Sequence, residues 1–165
     1  MRYVAALLED KIFLETIDAI ERLEEKRVYC RHGFAHLMDV ARLACMSNAE
    51  NGRVLEEEQI YLAALLHDIG RAEEYENGIS HATTGKRLAG EILLRIGYPN
   101  KKAQLILSAI EEHRGKRAVL LQNEQSELQS LIYKADKRSR ACFLCKAADS
   151  CKWSIDQKNK AEDWR

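Results

Sequence analysis

The chain has 165 residues, with 26 Lys+Arg balanced by 26 Asp+Glu, 46% hydrophobic residues and a single proline. This length suits one domain with one sizeable core, and zero net charge argues against bulk attraction to nucleic acid or a membrane surface. No apolar run approaches bilayer-spanning length, and the opening MRYVAALLEDKIFLETI lacks the apolar stretch of a signal peptide. The expectation is therefore a cytoplasmic protein.

The chain reads as a string of helices. Residues 9–26 carry Ile12, Leu14, Ile17, Ile20 and Leu23 at helical spacing, and residues 34–50 place Leu37, Val40, Ala41, Ala44 and Cys45 on one face. Glu56-Glu57-Glu58 suit the positive end of the next helix dipole. The apolar run that follows, Ile60 to Leu66, ends at His67-Asp68-Ile69-Gly70, where Gly70 is expected to stop the helix. Residues 71–79 read as a polar connection with an Asn77-Gly78 turn. Ser80 is expected to cap a helix running to about Ile96, which Gly97-Tyr98-Pro99 breaks. Further helices are expected over 100–113 and 124–140, the latter burying Leu128, Leu131, Ile132 and Ala135, with a basic loop over 114–123. No strand alternation or internal repeat is present, so the fold class expected is all-α, in a single domain.

Five histidines occur: His32, His36, His67, His81 and His113. His67-Asp68 offers an imidazole and a carboxylate, a pair that suits a first-row divalent ion. Adjacent residues converge on one point only where a helix frays, as it is expected to do just before Gly70. In order, His36 stands in HGFAHLMDVARLA, the HD pair in LAALLHDIG, His81 in SHATTGKRLAGEIL, His113 in ILSAIEEHRG and Asp136 in LIYKADKRSR.

This order resembles the HD superfamily of metal-dependent phosphohydrolases, whose minimal signature is H…HD…D, over roughly residues 30–140. The longer H…HD…H…H…D form is similar to bacterial HD hydrolases of diadenosine tetraphosphate and to HD-GYP phosphodiesterases. The resemblance implies an HD-type helical bundle over 1–165, with a core at 30–140 and a Cys-containing extension at 141–165. It implies one or two divalent ions (Fe, Mn, Co, Ni or Zn), the first held by His36, His67, Asp68 and Asp136. Asp68 would bridge to a second held by His81 and His113, with activated water as the nucleophile. His67 and Asp68 are thus the expected catalytic pair. Gly97-Tyr98-Pro99 precedes His113, so it is misplaced for an HD-GYP enzyme. An acidic helper shortly after the HD pair is also absent: Arg71 stands there, and Glu73 and Glu74 come later. That departure argues against a simple nucleoside monophosphatase.

His32 lies four residues before His36, without the Glu of a zincin motif between them; it is expected behind the ligands or on the substrate side. Residues 114–165 hold 12 basic and 7 acidic side chains against 14 and 19 in residues 1–113. Arg71, Arg114, Lys116, Lys137 and Arg140 each neighbour a ligand and are expected to bind an anionic substrate. The reading that follows is hydrolysis of a nucleotide or dinucleotide polyphosphate. A dinuclear iron HD-type oxygenase and a non-catalytic nucleotide sensor are the alternatives. The partner expected is a small phosphorylated molecule, not a nucleic acid or a membrane, with a homodimer left open.

Cys142, Cys145 and Cys151 read C-x2-C-x5-C. With Cys30 they form a candidate second metal site, for zinc or an iron–sulfur cluster. The other reading of these residues is as small buried hydrophobes.

Overall fold

A computed structural model describes residues 1–112 and 124–163. The first long helix begins where Asp10 accepts the Phe13 backbone N–H at 3.0 Å, closing its open N-terminus. This helix, α2 (Lys11–Leu23), follows a short α1 (Arg2–Leu8), seven residues that the sequence expectations did not include. The buried face of α2 is Phe13, Ile17 and Ile20. Leu14 and Leu23, at helical spacing in the sequence, are 50% and 43% exposed, because the buried stripe keeps Ile17 and Ile20 but runs on through Phe13.

Asp10 also takes the Arg95 guanidinium at 2.7 and 2.9 Å, tying the start of α2 to the end of a later helix. The Arg95 side chain is 42% exposed, so the ion pair adds little. Asp10→Ala is therefore expected to cost about 1–2 kcal/mol, mostly from the lost cap, measurable by urea denaturation. Arg95→Ala should cost clearly less.

Helix α3 (Phe34–Glu50) buries Leu37, Val40, Ala41 and Ala44, as expected, and packs on α4 (Glu57–Leu66). The hydrophobic α4 is buried from Ile60 onward except at Tyr61, which makes it the central helix of the bundle. It stops at Leu66, and the chain turns through His67-Asp68-Ile69-Gly70. Residues 71–77, read as a connection, form a further helix, α5 (Arg71–Asn77), closed by Gly78 in a left-handed conformation at φ 71°. Gly70 is not a left-handed stop, since its φ is −78°. It is needed because the backbone of the next helix passes against it: a Cβ there would lie 2.1 Å from the His81 carbonyl oxygen.

That next helix is α6 (His81–Arg95), and Ser80 precedes it without a side-chain capping bond. Helix α7 (Asn100–Glu112) packs on α6, and α8 (Glu124–Arg138) packs on α3 and α7. Leu128, Ile132 and Ala135 of α8 enter the common core. Beyond α8 the chain runs through short 3-10 turns at Cys142–Leu144, Ile155–Gln157 and Ala161–Asp163. Among the described residues there is no strand, and no helix is long and apolar enough to cross a membrane.

Candidate metal centre

Four elements deliver the candidate ligands: the first turn of α3 (His36), the turn after α4 (His67 and Asp68), the first residue of α6 (His81) and the last turn of α8 (Asp136). All but His36 are buried to 5% exposure or less, and His36 retains a small opening. Asp68 is the hub. Its Oδ2 lies 3.4 Å from His67 Nε2 and 3.9 Å from His36 Nε2, while Oδ1 lies 3.6 Å from His81 Nε2. Asp136 Oδ1 approaches His36 Nε2 at 3.5 Å.

Each imidazole is aimed by a contact at its other nitrogen, the usual arrangement around metal-binding histidines. His67 Nδ1 meets the Ala64 carbonyl at 2.7 Å, His36 Nδ1 meets the Ser139 hydroxyl at 3.3 Å, and His81 Nδ1 meets Glu74 Oε1 at 2.8 Å. All three Nε2 atoms therefore face Asp68. His32 is buried behind His36, the two rings edge to face at 5.5 Å. Glu24 holds it by accepting both its backbone N–H and its Nδ1 at 2.6 Å, and the same carboxylate takes the Tyr75 hydroxyl. Burial opposes ionisation of Glu24, but the His32 and Tyr75 hydrogen bonds outweigh it and hold its pKa down to about 2. His32 thus braces His36 from behind.

Burial, reinforced by the nearby His67, pushes the His36 pKa down to about 3, so His36 presents a neutral lone pair at ordinary pH. Burial also works against the His67 cation, yet the Asp68 carboxylate prevails and raises its pKa. A metal ion binds the neutral imidazole, so metal affinity is expected to rise with pH. Burial opposes the charge of Asp136 too, but His67, Arg140 and Lys137 hold its pKa down to about 2.

The donor set fits a divalent cation. His36, His67 and Asp68 offer ligand atoms all within 4.8 Å of one another, and His36 Nε2 is buried with no hydrogen-bond partner. Two imidazoles and carboxylates suit Mn, Fe, Co, Ni or Zn.

The cations expected on the substrate side lie closer in than the sequence suggested. Arg71 is 8% exposed and grips Asp68 through Nε at 2.9 Å and Nη2 at 3.2 Å, reaching Glu74 at 3.4 Å. Lys137 and Arg140 both meet Asp136, at 3.1 Å. The Arg140 guanidinium lies 4.2 Å from the Trp153 ring centroid. His113, Arg114 and Lys116 lie outside the described residues. Sequence reasoning missed the bracing by Ser139, Glu24 and Tyr75. It noted Glu74 only as an acid arriving too late, although one turn of α5 beyond Arg71 carries it to His81.

Fold and site together define an all-α domain whose HD pair, with His36, could hold a metal ion. The chain belongs to the HD domain family, whose sequence profile matches residues 33–141. An uncharacterized protein of Clostridium beijerinckii is 34% identical over 153 residues, 93% of each chain. Ribonuclease Y of Mycoplasma mycoides subsp. mycoides is 28% identical over 128 residues, covering 78% of this chain, which spans only 22% of that protein. A crystal structure of a "predicted HD superfamily hydrolase" from an uncultured Thermotogales bacterium shares the fold at TM-score 0.62 and 21% identity, over 91% of this chain and 83% of that one.

Proposed function

We propose that this chain is a metal-dependent phosphohydrolase acting on a phosphate ester or anhydride of a small nucleotide or dinucleotide polyphosphate. The observation that carries the reading is the convergence of His36, His67 and Asp68, with the His36 Nε2 atom buried and unpartnered among them. A divalent ion held there would polarise a phosphoryl oxygen and bring the pKa of bound water towards ~7. The protein supplies orientation: the Ala64 carbonyl, the Ser139 hydroxyl and Glu74 hold the three rings in place. Asp68 turns one oxygen to His36 and His67 and the other to His81, which suits a carboxylate shared between two ions. Arg71 and Lys137 hydrogen-bond the Asp68 and Asp136 carboxylates, which places two cations beside the site where phosphoryl oxygens would bind. Likeness to proteins named ribonuclease Y supports a nucleotide-type substrate. Zero net charge favours a small molecule over a polymer.

The test is metal analysis of anaerobically purified protein, then a screen of phosphate esters, dinucleotide polyphosphates and short RNA with each metal. Phosphate or nucleotide release that disappears in His67→Ala is expected, and full activity in that variant would overturn the reading. A metal stoichiometry unchanged by His81→Ala would remove the second ion. Glu74→Ala is expected to weaken metal affinity about 10–100-fold by loosening His81, read by chelator competition.

A further inference from the structure

Four of the five cysteines line one cavity of about 340 Å³ beside His36, enclosed by residues 28–31, the start of α3 and the segment 139–158. The backbone explains how three of them reach the same wall. Cys145 donates its N–H to the Cys142 carbonyl at 3.1 Å, Ala148 to Cys145 at 3.1 Å and Cys151 to Ala148 at 3.3 Å. Consecutive turns of three residues bring Cys142, Cys145, Ala148 and Cys151 round to one side, and all four line the cavity. The opposite wall carries Cys30, in a loop pinned where the Tyr29 hydroxyl donates to the Ser150 carbonyl at 3.0 Å. Cys45 supplies the contrast: it packs against the hydrophobic core and does not face the cavity.

None of the four thiols is in a disulfide, and none is in the core. No three of them lie within 4.8 Å of one another. A tetrahedral zinc ion with Zn–S of ~2.3 Å needs sulfur atoms about 3.8 Å apart, closer than these thiols stand. An iron–sulfur cluster holds its four thiolates farther apart, around a core of iron and sulfide. The surrounding charge suits such an anionic centre. Arg31, Arg140 and Lys158 line the cavity against a single carboxylate, Asp39. Arg140, tied by Nη2 to Asp136, keeps Nε and Nη1 buried with no hydrogen-bond partner, and sulfur atoms of a cluster accept such N–H groups.

We propose that Cys30, Cys142, Cys145 and Cys151 bind an iron–sulfur cluster in this cavity, each thiol losing its proton to solvent on binding. The cluster is distinct from the His/Asp metal centre and is joined to it through His36 and Arg140. It ties the C-terminal segment to the loop before α3.

The test uses the full chain, purified anaerobically and also reconstituted with ferric iron, a thiol reductant and sulfide. Acid-labile sulfide and visible charge-transfer absorption are measured alongside total metal. Stoichiometric sulfide with that absorption is expected, both lost in Cys142→Ser/Cys145→Ser while metal bound at His67 and Asp68 remains. In His67→Ala the sulfide should stay. Absence of sulfide from wild-type protein before and after reconstitution would overturn the proposal without depending on any variant. Zinc lost with the cysteines, in place of iron and sulfide, would overturn it equally.

Discussion

Asp68→Ala is expected to abolish both metal binding and turnover, and to destabilise the fold by about 3–5 kcal/mol. The stability loss arises from the partner left behind. Arg71 is 8% exposed and directs Nε and Nη2 at the Asp68 carboxylate, at 2.9 and 3.2 Å. Removing the carboxylate leaves a buried guanidinium with only Glu74, at 3.4 Å. Replacing both members by apolar groups removes the stranded charge, so Asp68→Ala/Arg71→Met should recover most of the stability and none of the activity. Denaturant unfolding of the two variants separates the roles. A loss below about 1 kcal/mol in the single variant would mean that Glu74 suffices to hold the cation.

Gly70→Ala is expected to be the most damaging single methyl group in the domain. The added Cβ would stand 2.1 Å from the His81 carbonyl oxygen and 2.6 Å from the Gly85 nitrogen, both backbone atoms that cannot turn aside. Since φ is −78°, the cost is steric and not conformational. Forcing α6 away from the HD turn should cost about 3 kcal/mol or more. It also draws His81 away from Asp68, from which its Nε2 lies 3.6 Å in the native fold. Gly85→Ala, on the facing helix, is the control. Its Cβ would meet Ile110 Cγ2 at 3.4 Å and the Gly70 nitrogen at 3.5 Å, close to ordinary contact, so it should cost far less. Thermal unfolding and metal affinity of the pair test the claim, and similar losses for both would refute it.

Sequence alone determined the all-α class, the buried faces of α3 and α8, and the order of the ligand residues. Apolar residues repeat every three or four positions there, and His36, His67, Asp68, His81 and Asp136 are chemically conspicuous against that pattern. The short α5 escaped because RAEEYEN has no apolar stripe; its helix is held by Arg71 and by what surrounds it. Tertiary structure alone decided how the ligands are aimed. Ser139 meets His36 across 103 residues, and Tyr75 meets Glu24 across 51. Such hydrogen bonds leave no local periodicity, because each partner is an ordinary polar residue until the fold joins them. The same holds for Gly70 and for the cavity of cysteines. Close approach of two backbones is a product of how the helices pack, and the shared cavity that Cys30 lines with Cys142, Cys145 and Cys151, which the sequence offered only as a candidate grouping, comes from the chain returning on itself.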